Sequence, residues 1–165
     1  MDYNRIESLK DEGFEGFETI ESMMQNACRN VPHVPGVYFV LNPDLRKEFM
    51  AESTGGWFKK RNPSVEILAL ESNWIENALI LNMGKAGGSD SSATLNSRLK
   101  QYMRFGQGKP VGHWGGRLIW QLNKSSELLI CWRELLDDEP REIEKAYIQD
   151  FVRIFGKRPF ANLTG

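Results

Sequence analysis

Apolar positions along the chain change their period several times, and each change marks an element. Ile20, Met23, Met24 and Ala27 recur at the spacing of a helix face, which predicts a helix over residues 18–30. Phe14 and Phe17 lie just ahead of it and pin the preceding turn. Pro32 and Pro35 then stop the helix and straighten the chain. Gly36-Val37-Tyr38-Phe39-Val40-Leu41 is an unbroken β-branched and aromatic run, read as a buried strand that Asn42-Pro43 ends. Residues 43–76 hold no sustained period. They contain Ser53-Thr54-Gly55-Gly56, a basic tip at Lys59-Lys60-Arg61, and a short element of either kind near residues 65–70. Ala78-Leu79-Ile80-Leu81 predicts a second central strand, with a Gly- and Ser-rich loop from Gly84 onward.

A helix follows, capped near Ser92 or Thr94. Leu95, Leu99 and Met103 fall within about 80° of one another at 100° per residue, a narrow core stripe. Arg98 and Tyr102, one helical turn apart, lie along its margin. An arginine there either snorkels along the core edge or aims its fork at a ligand. Residues 106–116 form a loop ending in Gly112-His113-Trp114-Gly115-Gly116-Arg117, and residues 118–122 fit a short helix or a hairpin arm. Leu128-Leu129-Ile130-Cys131-Trp132 is a third strand. Asp137-Asp138-Glu139-Pro140 then starts a last helix, which runs to Phe155 and closes at Gly156.

That last helix carries a carboxylate on its apolar side. With Ile143 at 0°, Ile154 falls at about 20°, Tyr147 at about 40°, Phe151 at about 80° and Phe155 at about 120°. Glu144 falls at about 100°, inside that arc, while Arg141, Lys145, Gln149 and Arg153 take the opposite side. An ionised carboxylate facing a core is costly unless it is paired, hydrogen-bonded or bound to a metal. Two readings follow: a salt bridge to a nearby arginine, or a ligand for a divalent ion beside a phosphate, a role that suits magnesium.

Length and composition bound these readings. A chain of 165 residues, 41% hydrophobic and 26% charged, is one ordinary globular domain with room for a core. No apolar run approaches the roughly 18 residues of a membrane span, and the N-terminus lacks a signal-peptide pattern. A cytoplasmic protein without membrane contact is therefore expected. The two cysteines, Cys28 in the predicted first helix and Cys131 in the third strand, read as small packed hydrophobes, and no Cys/His cluster suggests structural zinc.

The formal charge of −1 speaks against a strongly basic nucleic-acid binder, yet the charge is unevenly spread. Residues 1–30 hold seven acids against three bases. Residues 77–122 hold one acid, Asp90, against six bases: Lys85, Arg98, Lys100, Arg104, Lys109 and Arg117. Such a segment either attracts phosphate or is simply a solvated basic face.

Taken in order, these residues resemble the motifs of the GIY-YIG nuclease superfamily. Gly36-Val37-Tyr38 is similar to its first motif, and Met83-Gly84-Lys85-Ala86 to the end of its second. Arg98 with Tyr102 resembles the arginine and the hydroxyl or imidazole residue one turn later. Ile143-Glu144-Lys145-Ala146-Tyr147-Ile148 resembles the helix that carries a metal-binding glutamate, and Pro159-Phe160-Ala161-Asn162 the closing Pro-x-x-Asn. The likeness spans residues 33–165. It departs from the family at three points: Asn82 stands where the second motif has tyrosine, residues 43–76 exceed the usual short connection, and Gly156-Lys157-Arg158 extends the stretch before Pro159.

The resemblance implies an α/β fold: a small, mainly antiparallel three-stranded sheet flanked by helices. Residues 1–32 would form an N-terminal helical extension, and residues 33–165 the domain, with residues 43–76 as an insertion. It further implies metal-assisted hydrolysis of DNA phosphodiester bonds with Mg²⁺ or Mn²⁺, RNA being open as a substrate. Tyr38, made more acidic by Lys85, would take a proton from the attacking water. Arg98 would clamp the phosphate, Tyr102 would donate a hydrogen bond to it, Glu144 would anchor one ion, and Asn162 would order its neighbours. Asn82, Gly84, His113 and Arg117 are lesser candidates for substrate contact, and Trp114 either stacks on a base or packs its own loop. A site of this size cuts one strand, so a monomer or weak dimer is expected. Two other functions fit the same residues: a nucleic-acid-binding module without turnover, as Asn82 suggests, and a structural protein that docks partners on its acidic N-terminal helix.

Overall fold

The computed structural model describes residues 1–163, which form a mixed α/β fold around a four-stranded sheet. The elements are α1 (Ile6–Asp11), β1 (Glu15–Thr19), α2 (Ile20–Gln25), β2 (Gly36–Leu41), α3 (Ile67–Asn73), β3 (Ile80–Ala86), α4 (Leu95–Gly106), β4 (Leu129–Glu134) and α5 (Pro140–Phe155). Two 3₁₀ segments, Trp114–Gln121 and Ser125–Glu127, precede β4. The strand order is β1-β4-β2-β3, and every pairing is antiparallel.

The sheet has four strands rather than the expected three. The extra one is β1, drawn from the segment expected to lead into a helix over residues 18–30. Gly16 and Phe17 both adopt positive φ, which makes a bulge where β1 pairs with β4 and breaks the alternation that marks a strand. The helix that follows is short. The Thr19 hydroxyl accepts from the Ser22 amide to cap α2, and the left-handed Ala27 and Cys28 lie beyond its last turn. Cys28 is thus in a turn, and like Cys131 it is a buried free thiol.

Strand β2 is buried along its whole length, and its two faces feed two cores. Val37, Phe39 and Leu41 join Tyr3, Leu9, Phe14, Tyr147, Ile148 and Phe151 beneath α1 and α5. Tyr38 and Val40 point the other way, toward Leu95, Leu99, Tyr102, Trp120 and Phe160 beneath α4 and the 3₁₀ segment. Strand β3 runs on through Gly84, Lys85 and Ala86, which the sequence pattern assigns to a loop; pairing with Gly36, Val37 and Tyr38 keeps them extended.

Helix α4 starts where expected: the Thr94 hydroxyl accepts from the Ser97 amide, and the Ser97 hydroxyl reciprocates toward the Thr94 backbone. Helix α5 begins with Pro140 in its first turn and ends at Gly156 with φ of 83°. Ile154 falls on its exposed side, at 55% exposure, because α5 meets the sheet mainly through Tyr147, Ile148 and Phe151.

The insertion is anchored to the α4 side of the fold. Gln121, fully buried, donates to the carbonyls of Met50, Ala51 and Val65 and accepts from the Val65 amide. One amide side chain therefore satisfies four backbone groups that folding takes out of water. Further backbone bonds tie Thr54 to Trp120 and Gly56 to Phe105. Phe49 packs on Trp74 and Phe160. Among the described residues, no helix is long and apolar enough to cross a membrane.

Candidate active site

The open end of β2 and β3 faces a cavity of about 460 Å³. Its walls come from β2 (Tyr38), β3 (Asn82, Gly84, Lys85), α4 (Arg98), the loop before the 3₁₀ segment (His113), α5 (Glu144) and the C-terminal stretch (Asn162). Residues separated by as many as 124 positions in sequence, Tyr38 and Asn162, thus share one hollow, because antiparallel pairing sets the ends of β2 and β3 side by side between α4 on one face and α5 on the other.

Tyr38 is buried, as are Asn82 and His113 on the same wall. It sits directly opposite Gly84 in the β2–β3 register, and a β-carbon at position 84 would lie 2.2 Å from the phenol ring. Gly84 therefore makes room for the tyrosine and is not needed as a substrate contact to explain its place in the motif. The Tyr38 hydroxyl is 3.0 Å from Nε2 of His113. Burial pushes the phenol up to about 12, and the Arg98 charge only partly opposes this. The expected acidification by Lys85 is not found: the charges that act on Tyr38 are those of Arg98 and Glu144.

His113 is the residue whose role the sequence least betrayed. It is 2% exposed, stacks on Tyr102 with ring centroids 3.8 Å apart, and has no partner for Nδ1. Burial, with the Arg98 charge, lowers its pKa well below the usual histidine value, so the ring is neutral at physiological pH. With its proton on Nδ1, Nε2 accepts from the Tyr38 hydroxyl.

Tyr102 lies behind the cavity wall rather than on it. Its hydroxyl donates to the Gly116 carbonyl at 3.2 Å and accepts from the Asn82 amide at 3.0 Å. Both partners are local and buried, so Tyr102 fixes the wall and is not free to donate to a phosphate. Asn82 does line the cavity, but its amide nitrogen is committed to Tyr102.

Arg98 is held by one nitrogen. Nη1 donates to the Gly112 carbonyl at 3.0 Å and to Gln101 Oε1 at 3.1 Å, and no carboxylate pairs with it among the described residues. The rest of its fork is available to an anion in the cavity. Lys85 is half-buried on the same wall and is likewise outside every ion pair seen among the described residues.

Of the two readings of Glu144, the salt bridge is not found among the described residues. The residue is half-buried and lines the cavity. Burial raises its pKa, while Lys85, Arg98 and Arg141 pull the other way. Among the described residues, no three His, Cys, Asp or Glu side chains gather as a ligand set. A lone, unpaired carboxylate with an open approach suits an ion that keeps most of its waters, as Mg²⁺ does, and does not suit zinc.

Asn162 works through the backbone. Its Oδ1 accepts from the Met83 amide and its Nδ2 donates to the Met83 carbonyl, both at 2.8 Å. It locks the strand next to Gly84 and Lys85. Arg117 does not reach the cavity; it stacks on Trp114 with its guanidinium 4.7 Å from the ring.

A second hollow of about 1,140 Å³ adjoins the first, and Lys85, Glu144 and Asn162 belong to both. Its rim adds Arg141, Lys145, Lys157 and Arg158 against one further acid, Glu142. The helical wheel puts Arg141 and Lys145 on a solvated face; only the fold sets them beside Arg158. Comparison of the chain with protein-family models, curated proteins and solved structures gives no match.

Proposed function

We propose that this protein is an endonuclease that hydrolyses DNA phosphodiester bonds with a divalent ion, on a sheet-and-helix framework like that of GIY-YIG nucleases. The observation that carries the reading is a single hollow lined by a buried phenol, two unpaired cations and an unpaired carboxylate. Phosphoryl chemistry needs this set: cations where charge gathers on the phosphate, and a hard oxygen ligand for an ion.

Arg98 and Lys85 bind the phosphate and stabilise charge that develops on its oxygens. Glu144 would hold Mg²⁺ or Mn²⁺, and the ion would supply charge stabilisation at the leaving 3′-oxygen. The Tyr38 oxygen takes the proton of the attacking water. A phenol pushed up to about 12 carries its own proton at neutral pH, so it must pass that proton on as it accepts another. The neutral His113 ring, 3.0 Å away, is the acceptor, once the anionic phosphate on Arg98 offsets the charge that otherwise disfavours its protonated form. Asn82, Tyr102 and Asn162 hold the walls in register, and the cationic rim of the adjoining hollow guides the strand beyond the cut.

The test is incubation of supercoiled plasmid with the protein in Mg²⁺, in Mn²⁺ and in chelator. Nicked circles should form with either metal and not with chelator. A second reading, a nucleic-acid-binding module without turnover, is favoured by the high phenol pKa and by Asn82 in place of a second tyrosine. It predicts gel retardation at low salt without nicks under either metal.

A further inference from the structure

The insertion ends in a turn whose backbone suits other residues than the ones it carries. Phe58 and Arg61 bond each other through both backbone groups, at 3.3 and 3.0 Å, closing a two-residue hairpin over Lys59 and Lys60. Those two lysines have φ of 50° and 62°. Positive φ at both central positions is type I′ geometry, for which Asn-Gly is the favoured pair. A β-carbon strains each position, and the exposed Lys59 ammonium, 5.3 Å from the centroid of the Phe58 ring, returns only a weak cation–π contact to the turn.

The turn is also electrostatically unfinished. Lys59, Lys60 and Arg61 enter no salt bridge among the described residues. Arg61 and Arg117 stack on one indole, that of Trp114, at 4.5 and 4.7 Å. Two guanidiniums share that ring without a carboxylate between them, and burial, with the Arg61 charge second to it, lowers the pKa of Arg117. An anion laid across this surface would relieve both the repulsion and the missing pairing.

The turn sits one loop away from the cavity. A β-carbon on Gly112 would lie 3.6 Å from the Phe58 ring, and Gly112 is the residue whose carbonyl holds Arg98. Trp57, just ahead of the turn, is 58% exposed.

We propose that Lys59, Lys60 and Arg61, with Arg117 behind them, are a docking surface for the phosphate backbone of the DNA strand that enters the cavity. The proposal rests on the reading above that DNA is the substrate, and it gives the insertion the task of bringing that strand in. It needs a run of phosphates rather than a particular base sequence.

The variant Lys59→Asn with Lys60→Gly tests it, because it removes two charges while supplying the residues the turn prefers. Binding of a fluorescent duplex is measured in chelator over a range of salt, beside the melting temperature and the nicking rate at saturating DNA in Mg²⁺. The expected result is an unchanged or higher melting temperature, weaker binding, and an unchanged rate at saturation. Loss of two phosphate contacts lowers the salt slope by about 2, so the wild-type advantage shrinks roughly ten-fold from about 50 to about 200 mM salt.

Should the melting temperature fall, Lys59→Gln with Lys60→Gln makes the same charge change on side chains of similar reach. Equal affinity and equal salt slope in a folded variant would overturn the docking surface while leaving the nuclease reading intact. Charge-dependent binding that the variant loses, without nicks from the wild-type protein, would overturn the nuclease reading and leave the docking surface. Failure of the wild-type protein to bind duplex at low salt would end both.

Discussion

The two faces of strand β2 are built for different ends. On the α5 side, the Phe39 ring lies with its centroid 4.4 Å from that of Phe14 and edge-on to Tyr147, and the hydroxyls of the cluster, on Tyr3 and Tyr147, are both hydrogen-bonded. On the α4 side, Tyr38, Tyr102, His113 and Asn82 are as deeply buried, yet each carries a polar atom that must find a partner. Of these four side chains, His113 has a ring nitrogen, Nδ1, without a partner, as do the indole nitrogens of Trp114 and Trp120 on the same side. Neighbouring residues of one strand therefore differ in kind: the odd positions pack into the apolar cluster, and position 38 sets a buried hydroxyl beside the cavity. The apolar face should tolerate no loss of volume, whereas the polar face should lose function before it loses the fold.

The largest expected effect lies on the apolar face. Phe39→Ala should cost about 3–5 kcal/mol of stability in a denaturant titration, through lost burial and the cavity left behind. A loss below about 1 kcal/mol would mean that the two faces are not so different. Next comes Arg98→Ala on the polar face. On the proposed mechanism it should slow nicking by about 10²–10³ with little change in unfolding midpoint, read from single-turnover assays beside melting curves. Nicking at the wild-type rate would remove Arg98 from the mechanism.

Gly84→Ala probes the join between strand and site. Its β-carbon would strike the Tyr38 ring, and such overpacking typically costs about 1–3 kcal/mol. Displacing the phenol should also break its bond to His113, which NMR of the imidazole would register. An unmoved imidazole signal would show that the ring has other room.

The smallest effect is on stability, and its sign is the informative part. Because burial raises the Glu144 pKa, the folded state holds the carboxyl proton to higher pH than the unfolded chain does. Stability from this group is present at low pH and falls as pH rises from the ordinary carboxylate range through the raised pKa. In metal-free buffer at neutral pH, Glu144→Gln should therefore melt about 1–3 °C higher than wild type and lack that downward trend. Mg²⁺ should raise the melting temperature of the wild-type protein alone. A lower melting temperature for the variant would mean that Glu144 has a stabilising partner.

Where local pattern carried the information, the fold was readable. The β-branched run of β2, the Thr94 cap, and Pro140 and Gly156 at the ends of α5 are signals a few residues long, and each marks an observed boundary. Glu144 was readable for the same reason, since helical period alone places it against the sheet. Strand β1 was not, because its bulge at Gly16 and Phe17 erases the alternation and its partner lies over 100 residues away. His113 was hidden by distance too: a lone loop histidine shows no period, and its bond to Tyr38 spans 75 positions. Tyr102 was legible as a margin residue, but its partners Asn82 and Gly116 belong to other elements, so its hydroxyl looked free when it is not.

The C-terminal stretch has a consequence for the way the chain must be made. Ala161 donates to the Leu81 carbonyl, and Asn162 occupies both backbone groups of Met83, so these residues cover the outer edge of β3. Asn162 follows its partner Met83 by 79 positions, so this stretch leaves the ribosome well after β3. Until it does, an apolar strand stands with open backbone groups, a template on which a second nascent copy can pair. Chains cut before Pro159 should therefore be prone to aggregate.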